Sequence, residues 1–241
     1  MVSGEPILLV VAADRREFGA LAVRGPDLQP GPSRLRWARY CQLNGRRALL
    51  AANGAGRENA ANTVRLAAER HSLSAVISTG FAGALDPELK VGDAFAATQV
   101  IQHDGGLKYP VELPANATET RAKTGLLLTI DTVAQDSTTK ARLRECGADA
   151  VDMEASAVAE QASLLGVPFY CMRAISDEAQ SNFGIDFNAA RRADGTFSGW
   201  RIVGQAGLSR TRWRELLALR RDSQKAAETL ARLLTRCQFT A

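Results

Sequence analysis

The sequence predicts an α/β fold with a mixed, mostly parallel sheet, and three observations lead there. Short apolar runs rich in Ile, Leu and Val recur at residues 6–13, 74–79 and 167–175; such continuous runs fit strands covered on both faces. Acidic or glycine-containing switches follow them, and stretches with apolar residues at helical spacing come next. An Asn44-Gly45 pair between two apolar segments is the strongest hairpin signal in the chain. With 241 residues, 46% of them hydrophobic, there is material for one substantial core, so residues 1–241 are expected to form a single domain.

The elements follow in chain order. Residues 6–13 form the first strand, and Asp14-Arg15-Arg16-Glu17 ahead of Phe18 and Leu21 marks a switch to helix. That switch sets the Glu17 carboxylate near a strand's carboxyl end, where α/β sheets place ligands. Residues 25–33, rich in Gly and Pro, read as a loop. Residues 35–43 and 47–52 are the hairpin strands, and Asn53-Gly54-Ala55-Gly56 turns into a helix over residues 58–70. After strand 74–79, Gly80-Phe81-Ala82-Gly83 reads as a tight turn whose main-chain N–H groups could face a ligand.

Residues 94–101 alternate as a strand, and residues 103–120 form an irregular polar excursion. Residues 125–130 predict a strand and residues 137–146 a helix capped by Ser137. Residues 149–154 introduce a helix to about Leu165, whose inward Ala155, Val158, Ala159 and Ala162 permit close packing. Strand 167–175 ends at Ser176-Asp177-Glu178, and a loop with Phe183, Phe187 and Gly195 follows. The tail from 213 to 234 is an amphipathic helix with Trp213, Leu216, Leu217, Leu230, Leu233 and Leu234 inward.

Composition removes several classes. The four cysteines, Cys41, Cys146, Cys171 and Cys237, lie far apart without a CxxC spacing, which fits free thiols in a reducing compartment. No basic segment precedes the first apolar run, which is too short for a signal core or a span, so a cytoplasmic location is expected. The net charge of +4 is concentrated late: nine basic residues stand against three acidic ones between Arg201 and Arg236. Residues 195–241 therefore read as a basic helical extension, either a solvated face or a surface for anions, and charge alone does not make the chain a nucleic-acid binder.

Three carboxylates fall at strand ends or strand-to-helix switches: Glu17, Glu154 and Asp177. Brought together at one sheet edge, they could divide acid and base roles, since burial and neighbours set carboxyl pKa values apart. The plainer alternative is three first-turn acids at helix N-termini. Gly54-Ala55-Gly56 lacks the full dinucleotide spacing, and Gly80-Phe81-Ala82-Gly83 lacks a P-loop lysine and hydroxyl. His71 and His103 are the only histidines, and no zinc pattern surrounds them, so no metal is expected.

At Val151-Asp152-Met153-Glu154-Ala155-Ser156 the chain resembles the family of purine and uridine phosphorylases and methylthioadenosine/S-adenosylhomocysteine nucleosidases. Residues 7–18, Asn53-Gly54-Ala55-Gly56, Ser78-Thr79-Gly80-Phe81-Ala82-Gly83 with Val91-Gly92-Asp93, His103-Asp104, and Arg173-Ala174-Ile175-Ser176-Asp177 match the family in the same order. The resemblance implies a three-layer α/β/α sandwich and a homo-oligomer, with a dimer the norm among the nucleosidases. It implies that Glu17 activates water, that Glu154 holds the ribose hydroxyls with Met153 packing beside the sugar, and that Asp177, with Ser176 as neighbour, protonates a departing purine. Gly80 would line the site.

Departures from the family bear on the nucleophile and the substrate. Ser78 stands where many phosphorylases carry a phosphate-binding arginine, which with the retained Glu17 favours water as nucleophile; Arg15, Arg16 and Arg57 remain candidates for another anion site. Phe81 replaces a small serine near the ribose, and Thr132-Val133-Ala134 lies where the nucleosidases carry a base-stacking aromatic. Asp194-Gly195-Thr196-Phe197 and the tail resemble the hopanoid-associated members, linked to removal of adenine from adenosylhopane; Phe197, Trp200 and Trp213 among arginines would then meet a lipid-like substrate or membrane surface. The expected activity is hydrolysis of a purine nucleoside with no cofactor. The alternatives are a phosphorylase, with phosphate as co-substrate, and a noncatalytic nucleoside-binding protein.

Overall fold

The computed structural model describes residues 5–190, 192, 194–196, 204–205, 207 and 209–240. Phe197 and Trp200 lie outside the described residues. The strands are β1 (Ile7–Ala12), β2 (Gln29–Pro30), β3 (Trp37–Leu43), β4 (Arg46–Ala52), β5 (Leu73–Ala84), β6 (Ala94–Gln102), β7 (Lys108–Pro110), β8 (Lys123–Thr129), β9 (Ala150–Asp152) and β10 (Phe169–Asp177). The helices are α1 (Leu21–Arg24), α2 (Arg57–Ala68), α3 (Ala117–Thr120), α4 (Ser137–Arg144), α5 (Ala155–Leu165), α6 (Phe187–Ala190) and a long C-terminal helix (Arg210–Arg236), with a 3-10 turn at Arg15–Phe18.

β1 shows why the apolar run is continuous. Ile7, Leu9 and Val11 enter one core with Val64 and Ala67 of α2 and Val158 and Ala162 of α5. Leu8, Val10 and Ala12 enter another with Phe18, Leu233 and Leu234. Helices thus cover both faces of this strand, and no position on it can be polar. The β3–β4 hairpin closes at Asn44 and Gly45, both at positive φ (52° and 76°), as a tight two-residue connection requires.

The sheet does not stay flat between helical layers. β5 pairs with both β10 and β9, β10 continues to β6, and β8 joins β6 to β9, so five strands close a barrel-like ring with β1, β4, β3 and β2 as an extension. Parallel and antiparallel pairings are equal in number, five of each. The sheet is mixed, as expected, and most of its paired residues run parallel, since the β1–β4, β1–β5, β5–β10 and β6–β8 ladders are long. Hairpin strands and the short returning β9 supply antiparallel partners that the apolar runs do not reveal.

Three local expectations are corrected. Residues 80–83 are not a turn: they continue β5, which pairs through Gly80, Phe81, Ala82 and Gly83 with β10. The cap of α4 is Asp136, whose carboxylate accepts from the Thr139 N–H at 2.8 Å, with Ser137 as the first helical residue. The C-terminal helix buries Ala226, Leu230, Leu233 and Leu234. Its earlier Trp213 and Leu217 are 43% and 64% exposed, because the first turns project beyond the core.

A buried polar knot ties four strands of the ring. Arg173 of β10 donates to Asp152 of β9 at 2.5 Å and to the Ser78 hydroxyl of β5 at 2.8 Å. Asp152 also accepts from the Thr129 hydroxyl of β8 at 2.7 Å and from the Ala155 N–H at the start of α5 at 2.9 Å. The Arg173 and Asp152 side chains are 1% and 0% exposed, so removing one charge strands the other away from water. Substituting Arg173→Met is expected to cost about 3–5 kcal/mol of unfolding free energy, read by urea denaturation; a loss below about 1 kcal/mol contradicts this role.

Candidate active site

Glu17 is fixed by the switch that ends β1. Its Oε2 accepts from the Ala13 and Asp14 N–H groups at 2.8 and 3.0 Å, and its Oε1 from the Phe81 N–H at 3.1 Å. The carboxyl is buried, and desolvation pushes its pKa up against these three N–H groups and the pull of Arg173. Gly80 makes this approach possible, since a Cβ there would come within 2.9 Å of Glu17 Oε1. Phe81 turns its ring toward Ala174, Ala226 and Leu230, so its backbone meets Glu17 while its side chain packs under the C-terminal helix.

Glu154 precedes α5, and its Oε1 accepts from the Gly56 N–H, just before α2, at 2.7 Å. The residue is half-buried, but its carboxyl is withdrawn from solvent. Desolvation, with the Asp152 and Glu17 carboxylates adding to it, pushes its pKa up to about 8. Glu17 and Glu154 are thus neighbouring acids that both resist ionisation. Met153, between Asp152 and Glu154, is half-buried.

Asp177 ends β10 at a register irregularity after Ile175, opposite Gly83. A Cβ on Gly83 would lie 2.9 Å from Asp177 Oδ2. The Ser176 hydroxyl donates to Asp177 Oδ1 at 2.7 Å, and the Lys140 ammonium donates to Oδ2. Glu17 and Asp177 therefore lie against two positions of one strand, three residues or about 10 Å apart, and Glu154 feels the Glu17 carboxylate beside that of Asp152.

The other candidates have partners of their own or stand exposed. Val133 exchanges two bonds with the Asn188 carboxamide, donating to Oδ1 at 2.8 Å and accepting from Nδ2 at 3.1 Å. Arg16 is held by Asp14 through two bonds of 2.9 and 3.1 Å. Arg57 pairs with Asp131 at 2.9 Å and lies 3.8 Å from Asp104, while Arg15 is exposed. Carboxylates thus already engage two of the three arginines considered for an anion. Among the described residues no group of His, Cys, Asp and Glu is placed to hold a metal ion.

Two surface clefts lie elsewhere, one lined by Ala20, Leu21, Pro26 and Ala231, the other by Lys90, Val91, Glu178 and Lys225. Sequence reasoning passed over Lys140 and gave no role to Asp152 or Arg173. A lysine in the polar stretch 137–146 carries no mark of burial, and the motif holding Arg173 was read for its Asp177.

The profile of the Phosphorylase superfamily matches residues 6–198. The 5'-methylthioadenosine/S-adenosylhomocysteine nucleosidase of Mycobacterium bovis is 31% identical over 218 residues, covering 71% of this chain and 80% of that protein. The aminodeoxyfutalosine nucleosidase of Campylobacter jejuni is 31% identical over 164 residues, covering 58% of this chain and 72% of that protein. In fold, the crystal structure of the 5'-methylthioadenosine/S-adenosylhomocysteine nucleosidase of Neisseria meningitidis in complex with methylthio-immucillin-A is similar with a TM-score of 0.69, at 22% identity, covering 96% of this chain and 99% of that one. The matched span holds Glu17, Glu154 and Asp177, and the chain belongs to the Phosphorylase superfamily.

Proposed function

We infer that the protein hydrolyses the N-glycosidic bond of an adenine-containing nucleoside. The observation that carries this reading is Glu17 and Asp177 against one strand, with Glu154 next to Glu17, three acids in different environments in a chain related to nucleosidases that cleave such bonds. As the bond breaks, the sugar gains positive charge and the base gains the electron pair. Asp177 delivers a proton to the base, Glu154 accepts hydrogen bonds from the ribose hydroxyls with Met153 beside the ring, and Glu17 takes the proton of the attacking water.

The held arginines support water over phosphate. Arg16, Arg57 and Arg173 are each paired with a carboxylate, and a phosphate would have to displace those partners. The reaction calls for no cofactor. Gly80, Phe81, Ser176 and Val133 complete the assignment as residues bordering the substrate. No described helix is long and apolar enough to cross a membrane, and a cytoplasmic location is part of this reading.

We further assign a homodimer, supported by Leu164 and Leu165 of α5, 75% and 44% exposed, with Leu107 and Leu113 flanking the adjoining β7. Trp213 and Leu217, one turn apart among Arg210, Arg212, Arg214, Arg220 and Arg221, support contact with a lipid surface or a substrate carrying an apolar group. Sedimentation without and with anionic vesicles reads both. A dimer mass is expected, with vesicle binding that Trp213→Ala weakens several-fold; a monomer rejects the first assignment and absence of binding the second.

Incubation with methylthioadenosine and adenosine should release adenine and free sugar at the same rate with or without phosphate. Strict dependence on phosphate, yielding sugar-1-phosphate, overturns hydrolysis. Asp177→Asn keeps an oxygen that can accept from Lys140, so the fold should persist while turnover falls about 10²–10⁴-fold; near-normal turnover removes Asp177 from the acid role. A pH dependence of stability follows from Glu154. The folded chain keeps this proton up to about pH 8, whereas an unfolded glutamate loses it near 4.5, so its contribution to stability declines as pH rises between those values. Glu154→Gln should flatten the fall in melting temperature over that range; unchanged slopes contradict the assignment.

A further inference from the structure

Lys140 is a cation where the surrounding sequence gives no reason for one to be buried. It sits in α4 with its side chain 1% exposed, and its ammonium donates to Asp177 Oδ2 and, at 2.6 Å, to the Glu178 carbonyl. The Phe183 ring stands 5.8 Å from Nζ. Withdrawing an ammonium from water is costly unless a partner offsets it, and the partner here is the carboxylate assigned to leaving-group protonation. With Ser176 donating to Oδ1 and Lys140 to Oδ2, both Asp177 oxygens act as acceptors, so the nearest ionisable proton is on Lys140.

We propose that Lys140 is the positioning and proton-supplying partner of Asp177. This rests on the nucleosidase reading and adds to it the source of the proton. When the C–N bond breaks, its electron pair passes to the base; Asp177 gives a proton to a base nitrogen, and Lys140 Nζ gives one to Asp177. Water adds to the anomeric carbon and loses its second proton to Glu17. After the products leave, a proton passes from Glu17 to solvent and one from solvent returns to Lys140, which balances the cycle. Before each turnover the ammonium also fixes the carboxylate against the bare backbone of Gly83.

The test compares two leaving groups on the full-length protein. Adenine from methylthioadenosine needs a proton to depart; nitrophenolate from a 4-nitrophenyl riboside does not. Lys140→Met should lower kcat on methylthioadenosine about 100-fold, leave KM within about 3-fold, and slow the nitrophenyl riboside by less than about 3-fold. Lys140→Arg should recover less than about a tenth of the wild-type rate on methylthioadenosine, since the guanidinium restores the positive charge but holds its proton, and recovery to near the wild-type rate overturns the proton supply. Equal losses on the two substrates, or no loss on either, overturn the proposal.

A measurement on the wild-type chain needs no variant to fold. Side-chain 15N-lysine spectra should show one ammonium sheltered from solvent exchange, and its absence removes the ion pair on which the proposal stands. Wild-type protein that releases neither adenine nor nitrophenolate removes the nucleosidase reading, and the proton supply with it; a sheltered ammonium in that same protein shows the pair to be structural only.

Discussion

The site depends on the approach of two carboxylates to one strand where that strand has no side chains. Glu17 lies against Gly80 and Asp177 against Gly83, each so close that a single added Cβ would fall within 2.9 Å of a carboxylate oxygen. Contact with bare backbone lets an acid be withdrawn from water while N–H groups still meet it, as the Phe81 N–H meets Glu17. The two glycines three residues apart thus set the spacing between the two acids. The ring closure serves the same end, because β10 must pair along β5 as far as Gly83 to bring Asp177 there.

The three acids differ in what holds them, and the difference is chemical as well as geometric. Glu17 faces backbone donors, Glu154 faces one N–H and two other carboxylates, and Asp177 faces a hydroxyl and an ammonium. Burial raises the first two, while the third is paired with a cation. Groups of one chemical type placed in distinct surroundings can take distinct roles in one reaction. Beneath them the Arg173–Asp152 pair carries no assigned chemistry. It locks β10 to β9, and its tie to the Ala155 N–H seats the N-terminus of α5, next to Glu154.

Much of this was legible in the residues. The continuous apolar run of β1, the Asn44-Gly45 hairpin and the positions of Glu17, Glu154 and Asp177 at element ends follow from local pattern. Gly80 and Gly83 misled, because glycine marks turns and close approaches alike, and only the pairing with β10 shows which applies. Ring closure was hidden for a related reason: β5 meets β9 and β10 far along the chain, and residue-level periodicity carries no such information. Lys140 and Arg173 could not be found as buried cations, since nothing in the adjacent sequence separates a paired interior charge from a solvated one. Trp213 and Leu217 fit the apolar stripe of a helix that outruns the core it packs against.

The central claim is that these acids surround one nucleoside, and a crystal structure of the protein with methylthio-immucillin-A bound tests it most directly. The base should lie against Asp177, the sugar hydroxyls against Glu154, and a water held by Glu17 on the far side of the sugar. A ligand seated away from β5, or one that meets only a single acid of the three, would contradict it.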